Sequence, residues 1–143
     1  MSREREVAFV ALGSNLGDRA AHLAFARERL AALPSTSVLE CSGIEETAPL
    51  GGRDQPFYLN QMIAIETDLG PRALLDGLQA IERERGRVRG ERWASRTLDL
   101  DLVAYGAVAV DEPDLTVPHP GLADRDFWRR QLDEVRRRLA VRR

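Results

Sequence analysis

The sequence predicts an α+β fold of the ferredoxin-like type, a mostly antiparallel sheet with helices packed on it. The predicted elements run strand, helix, strand, strand, helix, strand, which is the split pattern of that fold. The apolar residues repeat every second position in some segments and every third or fourth in others. The 143 residues are the usual size of one domain, so we expect a single domain over residues 1–143.

The first half of the chain predicts three strands and one helix. Val7–Leu12 is a short apolar run typical of a buried strand. Asp18 is a suitable N-cap for the helix that follows, and Pro34 closes that helix. Thr36–Thr47 is the second predicted strand and Phe57–Thr67 the third.

The second half predicts a helix, a strand, a hairpin and a last helix. Pro71 suits the first position of a helix, and Gly86 suits its C-terminal cap. Leu98–Tyr105 predicts the fourth strand, and Ala107–Thr116 a hairpin-like continuation. The last helix, predicted over 124–139, is short and arginine-rich.

Composition excludes several functional classes. The formal net charge is only -2, which gives no reason to expect a nucleic-acid or membrane surface over the whole molecule. The first six residues are polar and do not resemble a signal peptide, and the single cysteine, Cys41, cannot form an internal disulfide. We therefore expect a cytoplasmic protein without nucleic-acid or membrane partners. The sequence does not specify the oligomeric state, and a monomer is the working expectation.

The basic residues are all arginine. A Walker-type phosphate loop needs a lysine, so this class of nucleotide site is excluded. The glycine-containing segment Gly13–Asp18 also lacks the Gly-Lys-Ser/Thr ending, and it predicts a tight turn that at most shapes the floor of a pocket.

Two acidic residues carry the strongest chemical signal. Asp99 and Asp101 lie two positions apart in a predicted strand, so both carboxylates leave the same face, with Cα atoms roughly 6.5 Å apart. Like charges at this spacing repel unless a cation offsets them. Magnesium prefers a few carboxylates together with phosphate oxygens, and paired metals support displacement at phosphorus. A solvated strand face is the alternative for an isolated Asp-x-Asp.

An arginine-rich segment just before these acids favours the phosphate interpretation. Arg87, Arg89, Arg92 and Arg96 enter the same neighbourhood. Guanidinium groups bind phosphates bidentately and offset the charge that develops during transfer. A mobile basic loop on the surface is the alternative interpretation.

Aromatic and amide side chains supply a second candidate surface. Tyr58 and Asn60 share one face of the third predicted strand, a combination that suits a flat heterocycle. Phe127 could supply a second ring, or it could form the buried edge of the last helix. His119 is restricted between two prolines and could contact a phosphate, although a structural role in the turn is the alternative.

A series of motifs follows in order between Val7 and Phe127. They are Leu12-Gly13-Ser14-Asn15-Leu16-Gly17, Thr47-Ala48-Pro49-Leu50-Gly51, Gln55-Pro56-Phe57-Tyr58-Leu59-Asn60, Gln79-Ala80-Ile81-Glu82, Gly86-Arg87-Val88-Arg89, Arg92 to Val103, and Leu115-Thr116-Val117-Pro118-His119-Pro120. This ensemble resembles the 6-hydroxymethyl-7,8-dihydropterin pyrophosphokinases of folate biosynthesis. The resemblance implies transfer of the terminal diphosphate of ATP to the pterin hydroxymethyl oxygen, with release of AMP.

The resemblance also implies roles for individual residues. Asp99 and Asp101 would bind two Mg²⁺ ions and, with Arg87 and Arg96, form the catalytic group. The pterin would contact Thr47, Pro49, Leu50, Tyr58, Asn60 and Phe127. The residues expected around the ATP co-substrate are Gln79, Glu82, Arg87, Arg89, Arg92, Trp93, Arg96, Leu102, Thr116, His119 and Arg125.

Departures from the family pattern leave two other hypotheses open. The arginine-rich loop is one residue short, Asp114 stands where many members have a basic residue, and the C-terminal tail is arginine-rich. A homologue that binds nucleotide and pterin with reduced or lost turnover is therefore the alternative function. An unrelated ferredoxin-like module that binds RNA through its arginines would instead show a steep salt dependence and no response to Mg²⁺.

Overall fold

The computed structural model describes residues 5–49, 56–86 and 97–142. Within these ranges the chain forms a five-stranded antiparallel sheet, a two-stranded ribbon and three α-helices. The sheet contains β1 (Glu6–Ser14), β2 (Thr36–Cys41), β3 (Glu45–Thr47), β4 (Tyr58–Thr67) and β5 (Asp99–Tyr105), the ribbon contains β6 (Val110–Glu112) and β7 (Leu115–Val117), and the helices are α1 (Arg19–Ala31), α2 (Pro71–Glu84) and α3 (Asp126–Val141). The predicted α+β class is confirmed.

The strand order places β1 between β4 and β5. The full path is β2-β4-β1-β5, and β3 pairs with β4 beyond the end of β2. The single strand predicted over 36–47 is thus two strands, because the chain leaves the ladder after Cys41. The hydroxyl of Ser42 accepts a hydrogen bond from the Met62 amide at 2.9 Å, a position that a backbone carbonyl would otherwise fill.

Helices cover both faces of the sheet. The α1/α2 face carries the larger buried cluster, which includes Leu12, Ile63, Leu100 and Leu102. The α3 face carries a smaller cluster of Phe9, Ala11, Met62, Ala64, Val103, Ala104, Trp128, Leu132 and Val135. Because side chains alternate along a strand, burial of Leu100 and Leu102 on one face directs Asp99 and Asp101 to the other, as the sequence predicts.

The helix ends follow the sequence signals closely. Asp18 Oδ1 accepts the amide of Ala21 at 3.1 Å, which confirms it as the N-cap of α1. Gly86 follows α2 with φ +86, a conformation that favours glycine. The last helix begins at Asp126 instead of Asp124, because Pro120–Ala123 forms a 3₁₀ turn first. Among the helices described, none combines the length and the apolar character needed to cross a membrane.

Two isoleucines test the packing of the sheet. Ile63 is fully buried in β4, whereas Ile44 is 48% exposed between β2 and β3. We expect Ile63→Ala to lower the free energy of unfolding by about 2–5 kcal/mol, because it removes buried methyl groups and leaves a cavity. Ile44→Ala should change it by less than about 0.5 kcal/mol. Urea denaturation followed by circular dichroism measures both, and equal effects would contradict the described core.

Candidate active site

The register of three neighbouring strands places Asn60, Asp99 and Asp101 on one face of the sheet around β1. Gly13 of β1 pairs with Asn60 of β4 on one side and with Asp99 of β5 on the other. One row further along, Ala11 pairs with Asp101. Since strands lie about 4.8 Å apart, the Asn60 and Asp99 backbones are about 10 Å apart across β1. We call Asn60, Gly13 and Asp99 the polar row; it lies on the α3 face.

Glycine at position 13 keeps the middle of the polar row open. A Cβ on Gly13 would lie 3.3 Å from Asn60 Oδ1 and 3.5 Å from Cδ1 of Tyr58. Any larger side chain would therefore occupy the space between the aromatic–amide pair and the acids. Sequence reasoning treated Gly13 only as part of a turn, because its importance depends on which strands flank β1.

The Asn60 amide has a fixed orientation. Asn60 is only 6% exposed, and its Nδ2 donates a hydrogen bond to Thr47 Oγ1 on the neighbouring β3. This assignment directs Oδ1 toward the gap above Gly13. A buried carbonyl oxygen that faces an open gap is suited to accept an N–H from a flat heterocycle. Tyr58, two residues before Asn60, and Pro49, two residues after Thr47, are both half-buried.

The acids remain accessible on the same face. The side chain of Asp101 is 41% exposed, and Asp99 is half-buried. His119 Nε2 lies 3.6 Å from Asp101 Oδ1. His119 Nδ1 accepts the Gly121 amide at 2.9 Å, so the neutral ring carries its proton on Nε2, which faces the carboxylate. Two carboxylates on one strand face fit the ligand preference of Mg²⁺.

Glu82 forms a hydrogen bond with the strand that carries these acids. Its side chain is 4% exposed, and Oε2 accepts the amide of Leu100 at 2.7 Å. Leu100 lies between Asp99 and Asp101, and β5 is the end strand of the sheet path. The Glu82 carboxylate thus holds the edge of β5 that faces away from β1, at the position of the acid pair. A contact between Glu82 and ATP stays a prediction, as does one with the half-buried Gln79 on the same helix.

Trp128 contacts three predicted site residues near α3, namely His119, Arg125 and Phe127. Its ring is 4% exposed and meets the His119 ring edge-on, with centroids 5.0 Å apart. The Arg125 guanidinium lies 4.6 Å from the centre of the Trp128 ring, and the Phe127 ring meets the Trp128 ring edge-on. A Cβ on Gly121 would overlap Arg125 Nη1, so a larger residue there would displace the end of the Arg125 side chain. Trp128 is not among the residues that the sequence predicts for the site, because its contacts with His119 and Arg125 depend on how α3 packs.

The remaining predicted ATP residues have different surroundings. Leu102 is 3% exposed in the α1/α2 core, so any nucleotide contact is restricted to its backbone. Thr116 is exposed on β7, where it pairs with Asp111.

Asp114, which departs from the family pattern, forms an ion pair with Arg72 at 2.7 Å, and this hydrogen bond lowers the pKa of the Asp114 carboxyl.

Several predicted residues lie outside the described part of the chain. They are Leu50, Arg87, Arg89, Arg92, Trp93 and Arg96. Their assignments to pterin or ATP therefore stay predictions from the sequence.

Comparison with known proteins identifies the family that this chain resembles. The family model for 7,8-dihydro-6-hydroxymethylpterin-pyrophosphokinase (HPPK) matches residues 9–137. A 2-amino-4-hydroxy-6-hydroxymethyldihydropteridine pyrophosphokinase of Haemophilus influenzae is 44% identical over 84% of this chain and 75% of its own. The Methylorubrum extorquens enzyme of the same name is 41% identical over 94% of this chain and 85% of its own.

A solved structure supports the fold independently. A crystal structure of an HPPK-DHPS in complex with substrates superposes with a TM-score of 0.60 over 79% of this chain and 30% of that chain, at 12% identity. At that identity the likeness shows the fold alone. Together with the family match, it confirms the resemblance identified from the motifs: the chain belongs to the 7,8-dihydro-6-hydroxymethylpterin-pyrophosphokinase family.

Proposed function

We propose that this protein transfers the terminal diphosphate of ATP to the hydroxymethyl oxygen of 6-hydroxymethyl-7,8-dihydropterin, with release of AMP, in folate biosynthesis. The observation that carries this proposal is the polar row. It sets an oriented amide and an acid pair on opposite sides of an open glycine position. An acceptor alcohol and a triphosphate can therefore meet above β1. The family membership supports the same reaction.

The pterin would occupy the side of the row formed by β3 and β4. Asn60 Oδ1, fixed by Thr47, would accept a ring N–H, and the open position at Gly13 would admit the flat ring. Tyr58 and Phe127 would enclose its two faces, since aromatic side chains stack on heterocycles. Pro49 and Leu50 would complete this pocket through their backbones.

The acid side of the row would hold two magnesium ions. Asp99 and Asp101 would be their protein ligands, and His119 would orient the Asp101 carboxylate through its Nε2–H. Bound Mg²⁺ supplies charge neutralisation at the phosphate oxygens during transfer. The metals would also lower the repulsion between two like charges on one strand face.

The remaining chemistry depends on positioning. Arg87 and Arg96 would bind the polyphosphate and offset charge on the departing AMP, with Arg125 and Thr116 at the nucleotide. The hydroxyl would attack the β-phosphorus directly, so no covalent enzyme intermediate is needed. Asp99 is the candidate to accept the hydroxyl proton.

A coupled assay for AMP tests the reaction directly. We expect AMP to form only when ATP, Mg²⁺ and the pterin alcohol are all present. Binding of both substrates without AMP formation would favour the alternative, a homologue that binds these ligands without turnover.

We further propose a cytoplasmic monomer that forms one domain over residues 1–143, and size-exclusion chromatography with light scattering tests the monomeric state.

Substitution of the acid pair should nearly abolish turnover. We expect Asp99→Asn and Asp101→Asn each to lower kcat by about 100-fold or more, because each removes a carboxylate ligand that the metal-bound phosphate needs. Asp133→Asn, on the exposed side of α3, is the matched control and should leave kcat unchanged. Thermal unfolding should show that all three variants fold. Near-normal rates in both site variants would refute the metal assignment.

Closing the gap at Gly13 should affect the pterin more than the nucleotide. The Cβ of Gly13→Ala would crowd Asn60 Oδ1 and Tyr58, so we expect pterin affinity to fall about tenfold or more. The affinity for Mg·ATP should change less than twofold. Gly43→Ala is the control, since a Cβ there meets only Glu134 Oε2 at an ordinary 3.8 Å. Calorimetric titration with each ligand measures both, and equal losses for the two ligands would contradict the described row.

A further inference from the structure

The last helix, α3, is joined to β3 and to the residues before it by polar contacts. In the middle of the helix, Glu134 Oε2 accepts the Gly43 amide at 3.0 Å. One turn earlier, nearer to the polar row, Glu45 accepts hydrogen bonds from both Arg130 and Gln131. These contacts fasten the arginine-rich helix, which departs from the family pattern, to one side of the sheet.

Glu45 lies on the same sheet face as the amide of the polar row. It pairs with Asn60 across the β3–β4 ladder, and directly opposed residues leave the same face with Cβ atoms about 5 Å apart. Thr47, two positions along β3, shares this face and accepts the Asn60 amide. The Glu45 carboxylate therefore lies at the border between α3 and the pterin side of the polar row.

The bond between Glu45 and Gln131 is the more sheltered of the two. Gln131 is 2% exposed, and its Nε2 donates to Glu45 Oε1 at 3.1 Å. Within the described part of the chain no group donates to Gln131 Oε1, so the bond to Glu45 is what satisfies this buried amide. The Arg130 side chain is 55% exposed, and an ion pair at such a position contributes little. Loss of the Gln131 bond would instead leave a buried polar group unpaired, which costs more.

Gln131 connects this bond to the aromatic end of α3. Phe127 lies four positions earlier on the helix, and residues i and i+4 share one helix face. The Phe127 side chain packs against the buried cluster of the α3 face, which contains Met62 of β4. The bond from Gln131 to β3 therefore holds the turn that carries Phe127 at a set distance from the strand that carries Asn60.

We propose that Glu45 is a positioning residue that sets the width of the pterin pocket. Its carboxylate holds α3 where Phe127 and Tyr58 enclose opposite faces of the ring, beside the oriented Asn60 amide. This role rests on the proposed function, because the pterin is the ligand that the two rings would enclose. Nothing along the chain connects Glu45 to Gln131, which lies 86 positions away.

The nucleotide side of the polar row has separate anchors. The His119 amide donates to the Val103 carbonyl of β5 at 2.9 Å, and Arg125 Nη1 donates to the Gly121 carbonyl at 3.3 Å. Neither contact involves β3. Loosening α3 at Glu45 should therefore disturb pterin binding more than Mg·ATP binding.

Three site variants and one control separate this bond from general docking of the helix. Glu45→Ala removes the acceptor of Gln131 Nε2, whereas Glu45→Gln keeps an oxygen there and loses only the charge. Gln131→Met keeps a side chain of similar size but removes the donor. Glu134→Ala is the matched control, because it removes another carboxylate contact of α3, further from Phe127. The two glutamate side chains have similar exposure, 34% for Glu45 and 31% for Glu134.

Calorimetric titration with the pterin alcohol and with Mg·ATP tests the proposal. We expect Glu45→Ala and Gln131→Met each to weaken pterin binding about fivefold, while Mg·ATP binding changes less than about twofold. The double variant should lose no more than either single variant, because both remove the same bond. Glu45→Gln should bind pterin within about twofold of wild type, and Glu134→Ala should do so for both ligands. Thermal unfolding should show that all variants fold.

Nuclear magnetic resonance of the Phe127 ring supplies a readout without ligand. The ring resonances should shift in Glu45→Ala and stay in place in Glu134→Ala. Unchanged pterin binding in Glu45→Ala, an equal loss in Glu134→Ala, additive losses in the double variant, or unmoved ring resonances in Glu45→Ala would each overturn the proposal. A wild-type protein that binds no pterin would refute the proposed function, and the ring resonances would still decide whether Glu45 holds α3.

Discussion

The rest of the site depends on holding two like charges on one face of an end strand. Asp99 and Asp101 are like charges, and within the described part of the chain β5 pairs with another strand of the sheet only along the edge that faces β1. Pairing with Gly13 and Ala11 fixes one edge, and the Glu82 carboxylate holds the Leu100 amide on the other. The protein thereby presents an acid pair that a divalent cation would stabilise.

Beside the acid pair, the central strand β1 contributes almost no side-chain volume on the α3 face. Gly13 and Ala11 are the β1 residues that face the acids, while β4 supplies the oriented Asn60 amide beyond them. Trp128 on α3 then sets His119 and Arg125 above the same face. In the proposed reaction, Gly13 and Ala11 would therefore separate the binding groups of the two substrates without filling the space between them.

Sequence reasoning succeeded where chemistry follows local periodicity. Alternation placed Asp99 with Asp101 and Tyr58 with Asn60, and the capping role of Asp18 followed from its residue type. It failed where contacts depend on which elements are neighbours: the outer edge of β5 that Glu82 caps, the space above Gly13, and the His22–Arg85 hydrogen bond across 63 positions. The sequence also did not predict that β2 and β3 are separate strands. The Ser42 hydroxyl accepts the Met62 amide where a backbone carbonyl of a continuous strand would do so, and this exchange leaves the periodicity of the sequence unchanged.

Metal stoichiometry tests the central claim most directly. Mn²⁺ can replace Mg²⁺ as a paramagnetic probe, and electron paramagnetic resonance counts the ions bound in the presence of a non-hydrolysable ATP analogue. The account predicts two Mn²⁺ ions per chain, coupled to each other, and loss of that coupled signal in Asp101→Asn. Two coupled ions that persist in Asp101→Asn would contradict it, because the acid pair would then not be the metal-binding element.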